Sequence, residues 1–191
     1  MPRQRPRVIA GTAGGRLLVV PKGSARPTTD RVKESLFAAL GERVIGDAAV
    51  LDLYAGSGAL AIEALSRGAA RAVLVERDSD CADAIRQNLE ATGLTERARV
   101  HRGAVEGFLR RGAPPEAPFG LVFLDPPYDT PPTASAAVLE ELAAPGWLGA
   151  GAAVVLEQAS GGSRPRLPGS WTTAWERAYG DTLVAVATAE M

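Results

Sequence analysis

The chain has 191 residues, 46% hydrophobic and 23% charged, with a formal net charge of −1. This composition excludes a disordered or fibrous chain, and the length fits one domain with its own core. The single cysteine, Cys81, excludes an internal disulfide framework and a Cys-rich zinc site. No apolar run approaches the roughly 18–20 residues that span a bilayer. Because no apolar segment with a cleavage site follows the basic amino terminus, we expect a cytoplasmic protein.

Charge is unevenly distributed along the chain. Residues 1–43 contain nine Lys or Arg and three Asp or Glu side chains, a net charge of +6, which leaves −7 for the remainder. A basic segment attached to an acidic body indicates a polyanionic partner for that segment. The alternative, a solvated tail without a partner, remains open on charge alone.

The predicted elements begin with a β-hairpin and a helix. Residues 7–11 and 16–21 are short β-type runs, and the Gly-Gly pair between them suits a hairpin turn. The helix has Thr29 or Asp30 as its N-cap, and Gly41 and Gly46 mark its exit. Its apolar positions recur at helical spacing: Val32, Leu36, Phe37 and Leu40.

From about residue 48 the pattern alternates between strands and helices. The predicted strands are residues 49–53, 72–76, a short run centred on 100, 119–125 and 152–157. The predicted helices are residues 59–66, 79–92, a short one near 105–110, and 133–142. This alternation predicts an α/β fold, a doubly wound Rossmann-like and mostly parallel sheet with helices on both faces. Two last strands, 171–179 and 182–187, predict an antiparallel hairpin that completes seven strands.

A glycine loop follows the first of these buried strands. Gly56 and Gly58 allow a tight turn and a close approach of a ligand to the backbone, beside the N–H groups of the next helix. Asp52 lies at the strand end, and Glu76 closes the next strand 20 residues after Gly56, the spacing of a ribose-binding acid. Ala61, at the third glycine position of a dinucleotide motif, does not discriminate between dinucleotide and adenosyl cofactors.

A second motif, Asp125-Pro126-Pro127-Tyr128, ends the apolar strand at residues 119–125. The prolines fix φ and remove two N–H donors, so the Asp125 carboxylate and the Pro126 carbonyl remain as acceptors beside an aromatic ring. This pattern suits a planar ligand that carries an amino group, stacked on Tyr128. Because the first and fourth strands of a doubly wound sheet are neighbours, we expect the two motifs to meet. Together with Asp52, this motif argues against a dehydrogenase.

These residues resemble known methyltransferases. Asp52-x-x-x-Gly56-x-Gly58 with Glu76 resembles the S-adenosylmethionine site of class I methyltransferases, and Asp125-Pro126-Pro127-Tyr128 resembles the signature of enzymes that methylate exocyclic amino groups. Three segments, residues 26–37, 52–60 and 63–68, resemble the RsmD family, and the likeness runs from about Arg7 to the last strand. That family methylates N2 of one guanine in bacterial small-subunit ribosomal RNA.

The resemblance implies a role for each matching position. Asp52, Ala55, Gly56 and Gly58 would hold the methionine part of the cofactor, Glu76 the ribose hydroxyls, and Arg77 would border the adenine. The full cofactor set is Thr29, Asp30, Asp52, Ala55, Ser57, Gly56, Gly58, Glu76, Arg77, Ala104, Val105 and Asp125. Ala104 lacks the Asp or Asn side chain that family members often have there.

The resemblance also implies substrate residues and partners. Asp125, Pro126 and Tyr128 would act in catalysis, without a metal. Asp125 and the Pro126 carbonyl would accept the protons of the amino group and direct its lone pair at the methyl group, while Tyr128 stacks on the base. The RNA-contacting residues would be Arg5, Arg7, Arg16, Lys22, Arg26, Arg31, Lys33, Pro127 and Tyr128. The chain divides into a basic extension, residues 1–43, that forms a lid for RNA and cofactor, and a methyltransferase domain, residues 44–191. We expect a monomer that binds ribosomal RNA, free or in an assembling small subunit, and no membrane.

Two other functions remain open at this point. One keeps the cofactor but methylates adenine N6 in DNA or RNA, or a glutamine amide, although the glutamine enzymes typically carry Asn at the position of Asp125. The other is a non-catalytic RNA-binding factor for ribosome assembly. His101, Cys81 and the three tryptophans, Trp147, Trp171 and Trp175, are interpreted as packing residues.

Overall fold

The computed structural model describes residues 6–21, 29–127, 129–169 and 171–189. Their strands are β1 (Ala49–Leu53), β2 (Arg71–Glu76), β3 (Ala98–Arg102), β4 (Phe119–Leu124), β5 (Leu148–Ala159), β6 (Thr172–Tyr179) and β7 (Thr182–Ala189). Their α-helices are α1 (Asp30–Ile45), α2 (Ala59–Ser66), α3 (Ser79–Thr92), α4 (Val105–Leu109) and α5 (Pro132–Leu142). Within these ranges no helix is both long enough and apolar enough to cross a bilayer.

The strands form one sheet in the order β3-β2-β1-β4-β5-β7-β6. Strands β1 to β5 are parallel, whereas β7 runs antiparallel to both β5 and β6. The predicted doubly wound sheet and its carboxyl-terminal hairpin are therefore confirmed. The strand order reverses between β1 and β4, and ligands bind at such a reversal in open α/β sheets.

Two apolar layers cover the sheet, one on each face. Val50, Leu121 and Phe123 face the layer that contains α1, α2 and α3. Leu51 and Leu53 face the layer that contains α4 and α5. Because side chains alternate along a strand, Asp52 points toward the side of α2 although its neighbours are packed under α5.

The predicted amino-terminal hairpin is present but short. Its two arms are joined by an antiparallel bridge between Arg7 and Leu17 and by backbone hydrogen bonds such as that from the Val8 N–H to the Arg16 carbonyl, at 2.9 Å. The backbone N–H groups of Ile9 and Ala10 donate instead to the Glu63 carboxylate, and that of Ala13 donates to Ser66 Oγ. Residues 6–21, here called the N-terminal segment, therefore pair both with each other and with α2.

The N-terminal segment also contributes to the core. Val8, Ala13 and Leu18 are buried against the layer of α1, α2 and α3. A Cβ atom on Gly11, which has φ +81°, would lie 1.9 Å from the Ser66 carbonyl oxygen. Only glycine therefore allows the turn of this segment to lie on the carboxyl end of α2.

Helix α1 starts as predicted and ends at Ile45, directly before Gly46, one of the two glycines predicted to mark its exit. Thr29 is the N-cap position, although its side chain makes no capping hydrogen bond. Gly41, at φ 69° and ψ 168°, leaves the helical conformation, and helical residues resume beyond it up to Ile45. Gly41 is thus a kink before the end at Gly46, because Ile45 is buried and holds the last turn against the core.

We predict that Glu63→Ala lowers the free energy of unfolding by about 2–4 kcal/mol. The fully buried Glu63 carboxylate binds two backbone N–H groups and the Arg67 guanidinium, at 2.6 Å to Nε. Urea unfolding measures the change, and Glu90→Ala, which removes an exposed carboxylate from α3, is the matched control. Equal effects of the two variants would contradict a role for Glu63 in seating the N-terminal segment.

Candidate active site

The glycine loop after β1 is held by backbone hydrogen bonds to β2. The Ala55 N–H donates to the Val75 carbonyl at 3.1 Å, and the Gly56 N–H donates to Glu76 Oε2 at 2.8 Å. Within the loop, the Gly58 N–H donates to the Ala55 carbonyl at 2.7 Å. The loop is thus fixed to the end of β2 at the edge of the sheet where the strand order reverses.

The two glycines of the loop serve different purposes. Both have positive φ, +56° at Gly56 and +77° at Gly58. A Cβ atom on Gly58 would lie 3.1 Å from Leu74 Cδ2 and 3.3 Å from Ile85 Cγ1, so this glycine is needed for packing. A Cβ atom on Gly56 would have no atom within 4 Å, so this glycine leaves open space beside the loop.

The Glu76 carboxylate is oriented by two backbone N–H groups. Besides Gly56, the Asp78 N–H donates to Glu76 Oε1 at 2.8 Å. A carboxylate has about four acceptor positions, so Glu76 can accept further donors from the open side of the loop. This arrangement fits the paired hydroxyls of a ribose.

Asp52 is a buried carboxyl group behind the loop. Its Oδ2 accepts the Ala61 N–H at 3.1 Å, in the first turn of α2. Burial raises the pKa of Asp52 to about 7, and the Glu76 carboxylate adds to the shift, while the Ala61 hydrogen bond opposes it. Asp52 therefore anchors the start of α2, and burial disfavours its ionised form at this edge of the sheet.

Asp125 lies beside the glycine loop, as the sequence predicts. Leu53 and Leu124 are paired across β1 and β4, so the residues that follow them leave the sheet side by side. The Asp125 side chain is partly exposed, and its N–H approaches the Leu53 carbonyl at 3.5 Å. In the described part of the chain no donor is hydrogen-bonded to the Asp125 carboxylate or to the Pro126 carbonyl. The Asp125 carboxylate and the Pro126 carbonyl thus lie next to the loop without a donor from the described residues.

Sequence reasoning did not single out Glu157, which lies near Asp125. Leu124 pairs with Leu156 across β4 and β5, so Glu157 follows at the same edge of the sheet. Burial raises the pKa of Asp125 well above its ordinary value, and the carboxylates of Glu157 and Asp52 raise it further. The register between β4 and β5, which a single sequence does not reveal, was the missing signal.

Tyr54 and Glu106 form a second pair that the sequence did not predict. Tyr54 has φ 62°, and its hydroxyl donates to Glu106 Oε1 at 3.2 Å. Burial raises the pKa of Tyr54 to about 12, Glu106 adds to the shift, and Arg77 opposes it. This pair connects the start of the glycine loop to the start of α4, where Ala104 is exposed and Val105 is buried.

Thr29 and Asp30 lie at the amino end of α1. The Asp30 carboxylate forms ion pairs with Arg7, at 3.1 Å, and with Lys33, at 3.6 Å. The structure therefore ties Asp30 to the N-terminal segment. No contact from Thr29 or Asp30 to the glycine loop is found among the described residues.

The predicted RNA-contacting residues differ in exposure. Arg7, Arg16 and Arg31 are exposed and Pro127 is partly exposed. Lys33 is fully buried, and its Nζ donates to the Arg7 carbonyl, so the phosphate contact predicted for it is wrong. Burial lowers the pKa of Lys33, against the opposing effect of the Glu63 and Asp30 carboxylates. The predictions for Arg5, Lys22, Arg26 and Tyr128 concern positions outside the described residues.

The residues that we interpreted as packing residues are all buried or partly buried. Cys81 is buried, which raises the pKa of its thiol to about 12. The His101 ring lies 5.0 Å from that of Phe108, which in turn contacts Trp147. Trp171 is buried and Trp175 is partly buried. Within the described ranges no three His, Cys, Asp or Glu side chains are grouped so that they could hold a metal ion.

We predict that Asp52 makes the protein less stable as pH rises. The folded state keeps the proton up to about pH 7, whereas the unfolded chain releases it near pH 4, so stability present below pH 4 is lost between these values. The unfolding free energy of the wild type, relative to Asp52→Asn, should fall by about 2–4 kcal/mol from pH 4.5 to 8. Urea unfolding across this range measures it.

The matched control for this titration is Asp181→Asn, which changes an exposed carboxylate in the turn between β6 and β7. Its stability should follow that of the wild type at every pH. Parallel pH curves for the wild type and Asp52→Asn would show that Asp52 does not hold its proton in the folded state.

Comparison with known proteins identifies the family. The family model described as "Conserved hypothetical protein 95" matches residues 6–188. Ribosomal RNA small subunit methyltransferase D of Escherichia coli strain K12 is 40% identical over 179 residues, 91% of this chain and 85% of the relative. The solved structure of yhhF from Escherichia coli, a provisionally assigned methyltransferase, is 36% identical with a TM-score of 0.86 and covers 98% of this chain and 99% of its own. An RNA methyltransferase from Salinibacter ruber, solved with S-adenosyl-L-homocysteine, is 19% identical with a TM-score of 0.64, over 86% of this chain and 94% of its own, and shares the fold. The chain belongs to the family of Conserved hypothetical protein 95, which is the RsmD family.

Proposed function

We propose that this protein is an S-adenosylmethionine-dependent methyltransferase that modifies the exocyclic N2 of a guanine in small-subunit ribosomal RNA. One observation carries the proposal. The glycine loop after β1 and the acceptors Asp125 and Pro126 after β4 share one edge of the sheet, since Leu53 and Leu124 are paired. The family relationship supports both the reaction and the RNA substrate.

The residues around the glycine loop fit the cofactor. The open space at Gly56 is where a ligand can approach the backbone, and the Glu76 carboxylate is already oriented toward that loop. The pKa values of Asp52 and Asp125 are raised, so a cation bound at this edge of the sheet would stabilise their ionised forms and be stabilised by them. When bound, S-adenosylmethionine supplies a methyl group on a positively charged sulfur. Ala55, Ser57 and Gly58 would border its methionine part, and Arg77, Ala104 and Val105 its adenine.

The acceptors after β4 fit an amino group. The guanine 2-amino group has two N–H donors, and its nitrogen is a poor nucleophile because the lone pair is delocalised into the ring. If Asp125 and the Pro126 carbonyl accept those protons, the nitrogen becomes more tetrahedral and its lone pair can be directed at the methyl group. Holding the two reactants in line lowers the barrier without a metal or a covalent intermediate.

Guanine fits this site better than adenine does. Guanine has an N1–H donor next to its amino group, whereas adenine has an unprotonated acceptor nitrogen at that position. A second carboxylate, Glu157, lies near Asp125. Two acidic groups would therefore face the N1 and the amino group of the bound base. Neighbouring carboxylates match the two adjacent donors of guanine and repel the acceptor of adenine.

The basic N-terminal segment fits an RNA partner. Arg7 and Arg16 of this segment are exposed, and so is Arg31 at the start of α1. RNA phosphates would neutralise these charges, and the release of counterions would make the affinity depend strongly on salt. The same proposal assigns phosphate contacts to the basic residues Arg5, Lys22 and Arg26.

The direct test is methyl transfer to small-subunit ribosomal RNA from a strain that lacks this gene. With S-adenosylmethionine, the wild type should add one methyl group, which mass mapping places on N2 of one guanine. Asp125→Ala should lower the single-turnover rate by about 10²–10⁴-fold, because the amino group loses its charged acceptor. Asp129→Ala, which removes a nearby exposed carboxylate, is the control and should keep the rate. A methyl group on adenine N6, or none on RNA, would overturn the proposed substrate.

The RNA surface has its own test. We predict that Arg16→Ala combined with Arg31→Ala reduces the slope of log affinity against log salt by roughly 1.5, about 0.7–0.9 for each lost phosphate contact. Fluorescence anisotropy with a ribosomal RNA fragment between 50 and 200 mM salt, roughly the range over which such slopes are resolved, measures it. Arg99→Ala, at the amino end of β3 and so away from the site, should leave the slope unchanged. An unchanged slope in the double variant would exclude these arginines from the interface.

A further inference from the structure

We propose that Asn88 of α3 is a positioning residue for the cofactor site, because its side chain ties the glycine loop to the N-terminal segment. The proposal rests on the proposed cofactor, and it concerns a residue that does not itself face the open side of the loop. Its consequence is that cofactor binding depends on how the N-terminal segment is seated.

The Asn88 side chain uses both of its polar atoms between two distant parts of the chain. Asn88 Oδ1 accepts the Val19 N–H at 2.7 Å, and Asn88 Nδ2 donates to the Val19 carbonyl at 2.9 Å. The same Nδ2 donates to the Ser57 carbonyl at 3.0 Å. Asn88 is only 1% exposed, so these bonds form away from bulk water. A buried amide with three partners in fixed positions has one orientation.

The bond to Ser57 acts on the part of the loop that matters for a ligand. Ser57 lies between the two glycines, and both glycines have positive φ. The loop is fixed on its β2 side by Gly56 and Glu76, and Asn88 fixes it on the α3 side. Without the second attachment, the peptide groups between Gly56 and Gly58 have more freedom, and a ligand must then order them when it binds.

The bonds to Val19 connect the same residue to the proposed RNA surface. Val19 belongs to the N-terminal segment, and its side chain is 47% exposed. On the outer face of that segment lie Arg7 and Arg16, and on its inner face lie the attachments to Glu63 and Asn88. A shift of the segment when RNA engages its outer face would therefore be transmitted through Asn88 to Ser57. Such a link is reciprocal, so that each ligand would favour the seated conformation that the other requires.

The test compares two ways of loosening the segment. Asn88→Ala removes the links to both Val19 and Ser57, whereas Ser66→Ala removes attachments of Ala10 and Ala13 to α2 without touching the glycine loop. We expect calorimetry to show S-adenosylmethionine affinity about tenfold weaker for Asn88→Ala and within twofold of the wild type for Ser66→Ala. In steady-state assays the KM for the cofactor should rise, while kcat at saturating cofactor stays within about twofold of the wild type.

A second variant tests the link to Val19 separately from the bond to Ser57. Val19→Pro removes the N–H that Asn88 Oδ1 accepts and leaves the bond to Ser57 in place. It should weaken cofactor binding in the same direction as Asn88→Ala, and the double variant should bind no more weakly than Asn88→Ala alone, because both act through one contact. Thermal unfolding of each variant confirms that the fold persists at the assay temperature.

The outcomes separate this proposal from the proposed function. If the wild type does not bind S-adenosylmethionine, the proposed function fails. If the wild type binds it and folded Asn88→Ala binds it equally well, Asn88 has no positioning role. Additive effects of Val19→Pro and Asn88→Ala would overturn the link between the N-terminal segment and the loop, since independent sites add.

Discussion

The parallel pairing of β1 with β4 is the constraint on which the site depends. Neither the glycine loop nor the Asp125-Pro126-Pro127 turn carries a complete site, and 66 residues, 59–124, separate Gly58 from Asp125 in the chain. The register of Leu53 opposite Leu124 brings them to one edge. Because the pairing lies in the middle of a seven-stranded sheet with both faces covered, this relative position is rigid.

This edge concentrates negative charge, which has a cost in the absence of a cation. Asp52 and Asp125 both have raised pKa values, since burial and neighbouring carboxylates, Glu76 for Asp52 and Glu157 for Asp125, disfavour their ionised forms. Glu76 is treated differently by the fold, because two backbone N–H groups bind its carboxylate. The site thus combines one carboxylate that is held in place with others that a positive ligand would stabilise. Carboxyl groups whose ionised forms are disfavoured until a ligand binds are expected at functional sites rather than in the core.

Much of the fold was predictable because local patterns agree with the tertiary structure. Strand β1 and helices α2 and α3 have the predicted ends, since buried apolar runs and glycine stops define them. The N-terminal hairpin is shorter than predicted because the donors of Ile9, Ala10 and Ala13 bind Glu63 and Ser66, which lie more than 50 residues away in the chain. Long-range hydrogen bonds of this kind leave no periodic signal in the sequence.

The residues of the candidate site, too, could be predicted from the sequence only in part. Gly56, Glu76 and Asp125 belong to motifs with fixed spacing or unusual composition, so the sequence identified them. Glu157 and Asn88 carry no such motif, and their positions follow from strand register and from helix packing. Functional residues on neighbouring strands can be paired only when the register is known, because shifting it by one residue turns every side chain to the other face.

The N-terminal segment shows why charge alone was an incomplete guide. Its basic side chains suggested a segment directed at a polyanion, and Arg7 and Arg16 are exposed in that way. Its backbone, however, is bound by the buried polar side chains Glu63 and Asn88. A polar side chain is buried at a cost unless its hydrogen bonds are satisfied, and here the backbone of the segment satisfies them. The segment and the core therefore depend on each other, so an event at the outer arginines has a physical route to the glycine loop.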